Sequence, residues 1–122
     1  MKDFEKPPEG ELIARLKAFA SLAAVPEPEL AWVVRACTLT VYDVGEVIAD
    51  PTRPMDELWI LLEGRVAIFV DRGAGPRRAF EWGPGAVTGL LPYSRMNTPP
   101  GTSRVLEAAT TLRMPRTALP GL

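Results

Sequence analysis

The types of residue that could do chemistry are few, and the one missing type decides most. The chain has no histidine, so metal hydrolysis sites, acid/base pairs working near neutral pH and most serine or cysteine nucleophile systems lose the imidazole they lean on. The one cysteine, Cys37, follows Val33 and Val34 in an apolar helical stretch, where a buried structural thiol is expected rather than a reactive one. Asp43, Glu46, Asp56 and Glu57 sit at corners without the spacing of a calcium loop, and no metal site is expected. Arginines are left, and their chemistry is the holding of an anion. Arg95, with Ser94, ends a stretch with room for one helical turn and could fold back over such a group. Arg104, with Ser103, opens a late β-run, and its direction depends on register. If Leu106 and Ala108 face the core, Arg104 points inward; if Val105 does, Arg104 lies in solvent. Solvated surface arginines are the plain alternative for both.

These groups must be positioned by a short series of elements. Leu12, Ile13, Leu16, Phe19 and Ala20 recur at helical spacing, and after the Pro26 and Pro28 punctuation Leu30, Ala31, Val33, Val34 and Cys37 give a second apolar face. This predicts a helical hairpin over residues 11–37, preceded by a loose, charged and Pro-rich arm over residues 1–10. From residue 38 the vocabulary changes to strands. Leu39 and Val41 precede a turn at Asp43 to Gly45, and Val47 and Ile48 follow it. Two apolar runs, Leu58 to Leu62 and Val66 to Val70, meet at a Gly64 corner, and a loop with Gly73 and Gly75 leads into a returning strand that ends at Trp82. After Gly83-Pro84-Gly85 come the mixed stretch and a loop, and then two last strands on either side of Thr110. A final helical turn is expected at residues 116–122. About eight short strands after a helical hairpin suggest a closed sandwich or barrel.

Composition sets the outer bounds. A chain of 122 residues with 47% hydrophobic and 24% charged residues supports one folded domain, here residues 11–122 with the β part over 38–115. The net charge of -1 argues against nucleic-acid binding, which ordinarily needs a basic surface. No stretch approaches the roughly 20 apolar residues of a membrane span, and the polar start lacks a secretory pattern. A cytoplasmic, reducing compartment is the expectation.

The punctuation taken in order resembles a known family. Tyr42-Asp43-Val44-Gly45-Glu46, then Asp56-Glu57-Leu58-Trp59-Ile60-Leu61-Leu62-Glu63-Gly64-Arg65-Val66, then Gly83-Pro84-Gly85 and Gly89 are similar to the glycine scaffold of cyclic-nucleotide-binding domains. The resemblance implies a mainly β fold: a double-stranded β-helix or jelly-roll, the β-roll, behind a helical hairpin, with a short helix in the phosphate-binding-cassette position. Gly45, Gly64 and Gly85 read as structural corners, and Trp59 and Phe69 as core.

In that family the cassette offers helix-start amides to a cyclic phosphate, a glutamate to the ribose and an arginine to the phosphate. Here Leu90 stands at the glutamate position and Gly101 at the arginine position. The candidate ligand residues are therefore Gly89, Leu90, Leu91, Ser94, Arg95, Ser103 and Arg104, around a non-standard or degenerate pocket. The implied ligand is a cyclic nucleotide or another small anionic, nucleotide-like molecule; the alternative is lost binding and a protein-docking module. The stretch from Gly89 to Met96 also resembles the variant cassette of domains attached to bacterial sensor histidine kinases. This implies a signalling input module with an attached or separate histidine kinase-like effector and no catalysis of its own. A catabolite-activator-type regulator would add a long dimer helix and a helix-turn-helix, which these residues do not contain. A free-standing module and a piece of a longer protein both stay open, as does a homodimer. A cupin-like enzyme shares the architecture, but its metal-bearing form needs imidazole ligands.

Overall fold

A computed structural model describes residues 1–54, 56–89, 99 and 101–121. The described elements run β1 (Lys2–Phe4), α1 (Glu9–Lys17), α2 (Glu27–Ala36), β2 (Thr38–Tyr42), β3 (Val47–Ala49), β4 (Glu57–Asp71), β5 (Pro76–Trp82), β6 (Val87–Gly89), β7 (Thr102–Pro115) and a 3₁₀ turn, Arg116–Gly121. The hairpin forms for the reasons read from its spacing. Glu9 and Glu11 lie at the positive end of α1 and Arg15 and Lys17 at its negative end, each complementing the helix dipole. Pro28 fits the first turn of α2, where its missing N–H removes no helix bond. Cys37 adopts an extended backbone and ends α2. No described helix is long and apolar enough to cross a membrane.

The N-terminal segment is not the loose arm expected of it. Lys2, Asp3 and Phe4 pair antiparallel with Val41, Thr40 and Leu39, and α1 begins at Glu9 rather than residue 11. Lys6 Nζ donates to the carbonyls of Val34 at 2.7 Å, Cys37 at 2.8 Å and, more distantly, Arg35 at 3.3 Å, and so satisfies the open C-terminus of α2. Charged side chains in this segment are anchored by partners far along the chain.

The sheet order is β1-β2-β7-β4-β5, with β3 added to β7 and β6 to β4. The two pairs of short strands expected on either side of Gly64 and Thr110 are instead two long strands, β4 and β7. They pair from Glu57 with Pro115 to Phe69 with Thr102, through register shifts between Leu61 and Val66. Bulges bend a strand without ending it. Gly64 makes the bend: its φ is +94°, and a Cβ there would lie 2.3 Å from the Ala108 carbonyl oxygen. No other residue type allows this backbone together with so close a crossing.

Period-two alternation sorts the faces. Leu39, Leu58, Ile60, Leu112 and Met114 face the hairpin and join Leu12, Leu16, Leu30 and Val34 in the larger core cluster. The opposite face turns into the roll, where Tyr42, Leu61, Val66, Val105 and Ala109 form a smaller one. Leu112 is completely buried, and a buried leucine of this kind contributes about 1.5–3 kcal/mol relative to exposure. Beside that smaller cluster the roll interior also carries polar side chains, Thr40 and Thr111 among them.

Candidate ligand cavity inside the roll

Three strand registers bring those polar side chains together. Thr40 lies opposite Thr111, Trp59 opposite Arg113 and Glu57 opposite Pro115, so Thr40, Tyr42, Glu57, Trp59, Thr111 and Arg113 share the inward parity. Thr40, Glu57, Thr111 and Arg113, with Asp3 of β1, form one hydrogen-bonded network beside Tyr42 and Trp59, centred on the Arg113 guanidinium. Its Nη1 donates to both oxygens of Glu57 at 3.1 Å, Nε donates to Thr40 Oγ1 at 2.8 Å and Nη2 to Asp3 Oδ1 at 3.2 Å. The Thr40 hydroxyl donates onward to Asp3 at 2.6 Å, and Thr111 Oγ1 donates to the Thr40 carbonyl at 3.0 Å. Thr40 and Thr111 are almost fully buried, so each hydroxyl needs the partner it has.

The charges respond to this packing. Burial works to lower the Arg113 guanidinium, but Glu57, then Tyr42 and Asp3, outweigh it and hold it above its ordinary value. Burial also pushes the Tyr42 hydroxyl up, against the pull of Arg113. The Thr40 hydrogen bond, with help from Arg113, holds the Asp3 carboxyl below the ordinary 3.8, although partial desolvation opposes it.

Above the network lies a cavity of about 520 Å³ whose described lining includes Tyr42, Ile48, Asp50, Arg53, Asp56, Glu57, Trp59, Pro99 and Arg113. That is within the ordinary range for a small-molecule site. Glu46, Asp50, Asp56 and Glu57 outnumber the cations Arg53, Arg113 and the Met1 amine in this lining, and several are already engaged. The Met1 amine pairs with Glu46, the Asp50 carboxylate accepts from Thr52 N at 2.8 Å, and Arg113 is occupied as above.

Of the residues singled out from the sequence, Gly89 ends β6 beside this cavity. Its φ is +90°, and a Cβ would meet the Glu57 carbonyl oxygen at 2.4 Å and the Trp59 ring at 2.5 Å. Ser103 is buried with inward parity. Arg104 takes the outward register, because Val105 is locked inward by bonds from its N to the Glu46 carbonyl at 2.9 Å and from Gly45 N to its own carbonyl at 2.8 Å. The Arg104 side chain donates to the Gly45 carbonyl at 2.9 Å and borders a separate recess of about 550 Å³ with Phe69 and Thr102. Leu90, Leu91, Ser94 and Arg95, and with them the expected short helix, lie outside the described residues. At Gly101, where the resemblance places the arginine, a Cβ would lie 2.4 Å from the Phe69 carbonyl oxygen and 3.0 Å from Ile68 Cγ2 and Val70 Cγ2.

Sequence reading missed Glu57 and Arg113 as interior groups. The signal was present in the Glu57-Trp59-Leu61 and Thr111-Arg113 alternation. Trp59 is buried as expected, with its Nε1–H buried close to the Tyr42 hydroxyl.

The sequence matches a family model described as the cyclic nucleotide-binding domain over residues 39–122. No curated protein matches it. Among solved structures, the regulatory domain of Toxoplasma gondii protein kinase A with cAMP superposes with a TM-score of 0.81 at 17% identity, covering 93% of this chain and 44% of that one. The regulatory subunit of a cAMP-independent protein kinase A from Trypanosoma cruzi, bound to guanosine, gives 0.78 at 19% identity, covering 88% and 39%. The N-terminal domain of a transcriptional regulator from Streptomyces coelicolor gives 0.75 at 18% identity, covering 88% and 77%. The chain thus spans less than half the length of the kinase subunits it matches.

Proposed function

The chain belongs to the cyclic nucleotide-binding domain family, and from that premise we propose that it is a non-catalytic input domain of a bacterial signalling protein whose pocket no longer uses the standard cyclic-phosphate mode. The observation that carries this is Gly101. The position where the family's arginine belongs has no room even for a methyl group, and Arg113, the guanidinium anchored inside the roll, already serves Glu57, Asp3 and Thr40. A phosphate would enter a cavity whose carboxylates outnumber its cations, and like charge in a partly dry site is costly. The Trypanosoma cruzi relative, bound to guanosine, supports a phosphate-independent reading, because guanosine carries no phosphate. The Streptomyces coelicolor regulator domain supports the bacterial signalling role.

The coupling route we propose runs through β1. Asp3 holds the interior network and Lys6 holds the end of α2, so a ligand that repositions Glu57 and Arg113 biases the hairpin toward one of two arrangements read by an attached or separate effector. Titration calorimetry with cyclic AMP and cyclic GMP tests the pocket: no heat at micromolar concentrations is expected, and micromolar binding of either would overturn the reading. Hydrogen exchange in α2 that ignores every ligand would count against the coupling route.

A further inference from the structure

The strand edges of the roll are not alike. Among the described strands β1, β3 and β6 are edges of three residues each, whereas β5 presents seven, Pro76–Trp82, and very short edges are the ones that resist an added strand. β5 pairs only with β4 among the described strands, and no backbone hydrogen bond to a described residue forms on its other side. Pro76 to Glu81 are all exposed. The backbone donors and acceptors along that side are open to a partner.

The side chains around this edge say what kind of partner. Residues 72–80 carry three arginines and no carboxylate. The Asp71 carboxylate beside them is turned into the hairpin, where it accepts from Gly73 N at 2.8 Å and Gly75 N at 3.2 Å, and Arg78 is held by Glu81 and the Phe69 ring. Arg72 and Arg77 have no ion pair or side-chain hydrogen bond among the described residues, and with Val70 they line a recess of about 260 Å³. Arg77 lies opposite Val70 and Phe80 opposite Ile68, so both are on one face of the sheet, and Phe80 is 61% exposed. The register shift at Ala79 interrupts the edge, which suits a short segment and not a long flat sheet.

We propose that the free edge of β5 docks a short, extended, acidic segment of a partner protein. The segment adds as a further strand, sets carboxylates against Arg72 and Arg77, and lays an apolar side chain on Phe80. This surface is separate from the roll cavity, and the proposal stands whether or not the roll holds a ligand.

The test is fluorescence anisotropy of the intact chain with a labelled, end-capped peptide of alternating glutamate and valine. Two control peptides replace each glutamate by lysine or each valine by proline, the second keeping the charge and losing the backbone donors. The glutamate–valine peptide is expected to bind about tenfold or more tightly than either control, and to slow amide exchange within residues 77–82. The double variant Arg72→Glu with Arg77→Glu, changed at two exposed positions, should melt as the wild type does, weaken the acidic peptide about tenfold and favour the lysine peptide. If the variant does not fold, the three peptides on the wild type decide alone. Equal binding of the proline control would overturn the proposal by reducing the contact to charge, and unchanged binding to the variant would place the contact elsewhere. Absence of binding would leave the arginines as guards of the edge, and sedimentation showing that the chain pairs with itself through β5 would give the edge to a second copy; either result overturns it.

Discussion

Restoring an arginine at residue 101 should not restore cyclic nucleotide binding. Gly101→Ala already places a methyl group 2.4 Å from the Phe69 carbonyl oxygen, a backbone atom of β4 that cannot swing aside, and 3.0 Å from two γ-methyl groups. Relieving that overlap means displacing β7 from β4, and overpacking of this kind costs about 1–3 kcal/mol. For a domain of this size that is a fall in melting temperature of about 4 °C per kcal/mol. Gly101→Arg must meet the same overlap before its guanidinium can reach anything, so it should melt at least as low as Gly101→Ala and show no calorimetric response to cyclic AMP. Gly45→Ala is the control: its φ is +89° with nothing within 4 Å of the added carbon, so it carries the backbone term alone, about 1–2 kcal/mol. A Gly101→Arg variant that keeps the wild-type melting temperature and binds cyclic AMP would refute the steric argument and the functional reading built on it.

Other consequences can be checked in the same preparations. Because Asp3 is held below its ordinary 3.8 in the folded chain, its contribution to stability is fully present above pH 3.8 and fades as pH falls through the lower folded value. Asp3→Asn should therefore flatten the acid limb of a melting-temperature profile, and an unchanged limb would contradict the network. Burial pushes the Cys37 thiol up to about 12, with Lys6 only partly opposing it. An aromatic disulfide reagent should accordingly label it only as fast as the chain opens, and rapid labelling of the native protein would disprove its burial. Lys6→Met removes three carbonyl contacts at the end of α2; a loss of about 1–2 kcal/mol, with faster amide exchange in the last turn of α2, is expected.

Much of the fold was legible because its determinants are local. The hairpin follows from period-3.6 spacing between prolines, and the roll from alternating apolar runs cut by Gly45, Gly64 and Gly85, all of which do adopt positive φ. What was not legible depends on distant partners. The arm of residues 1–10 reads as solvent-loving, yet Asp3 and Lys6 are held by Arg113 and the end of α2, more than a hundred and about thirty residues away. Gly64 reads as a break, but with β7 alongside it is a bend in one continuous strand. Sequence parity alone left Arg104 free to point either way; the bonds of Val105 to Gly45 and Glu46 turn it outward. For the cavity, charged residues in strands are read as outward-facing by default, which hid Glu57 and Arg113. Trp59 shows the limit plainly. Its burial follows from its type and neighbours, but its place between Gly89 and Tyr42 exists only in three dimensions.

The most direct test is titration calorimetry of the intact chain with cyclic AMP and cyclic GMP, with Gly101→Ala titrated in parallel. Neither protein should give heat with either cyclic nucleotide at micromolar concentrations. Micromolar binding of either to the wild-type chain would contradict a pocket that does not use the standard cyclic-phosphate mode.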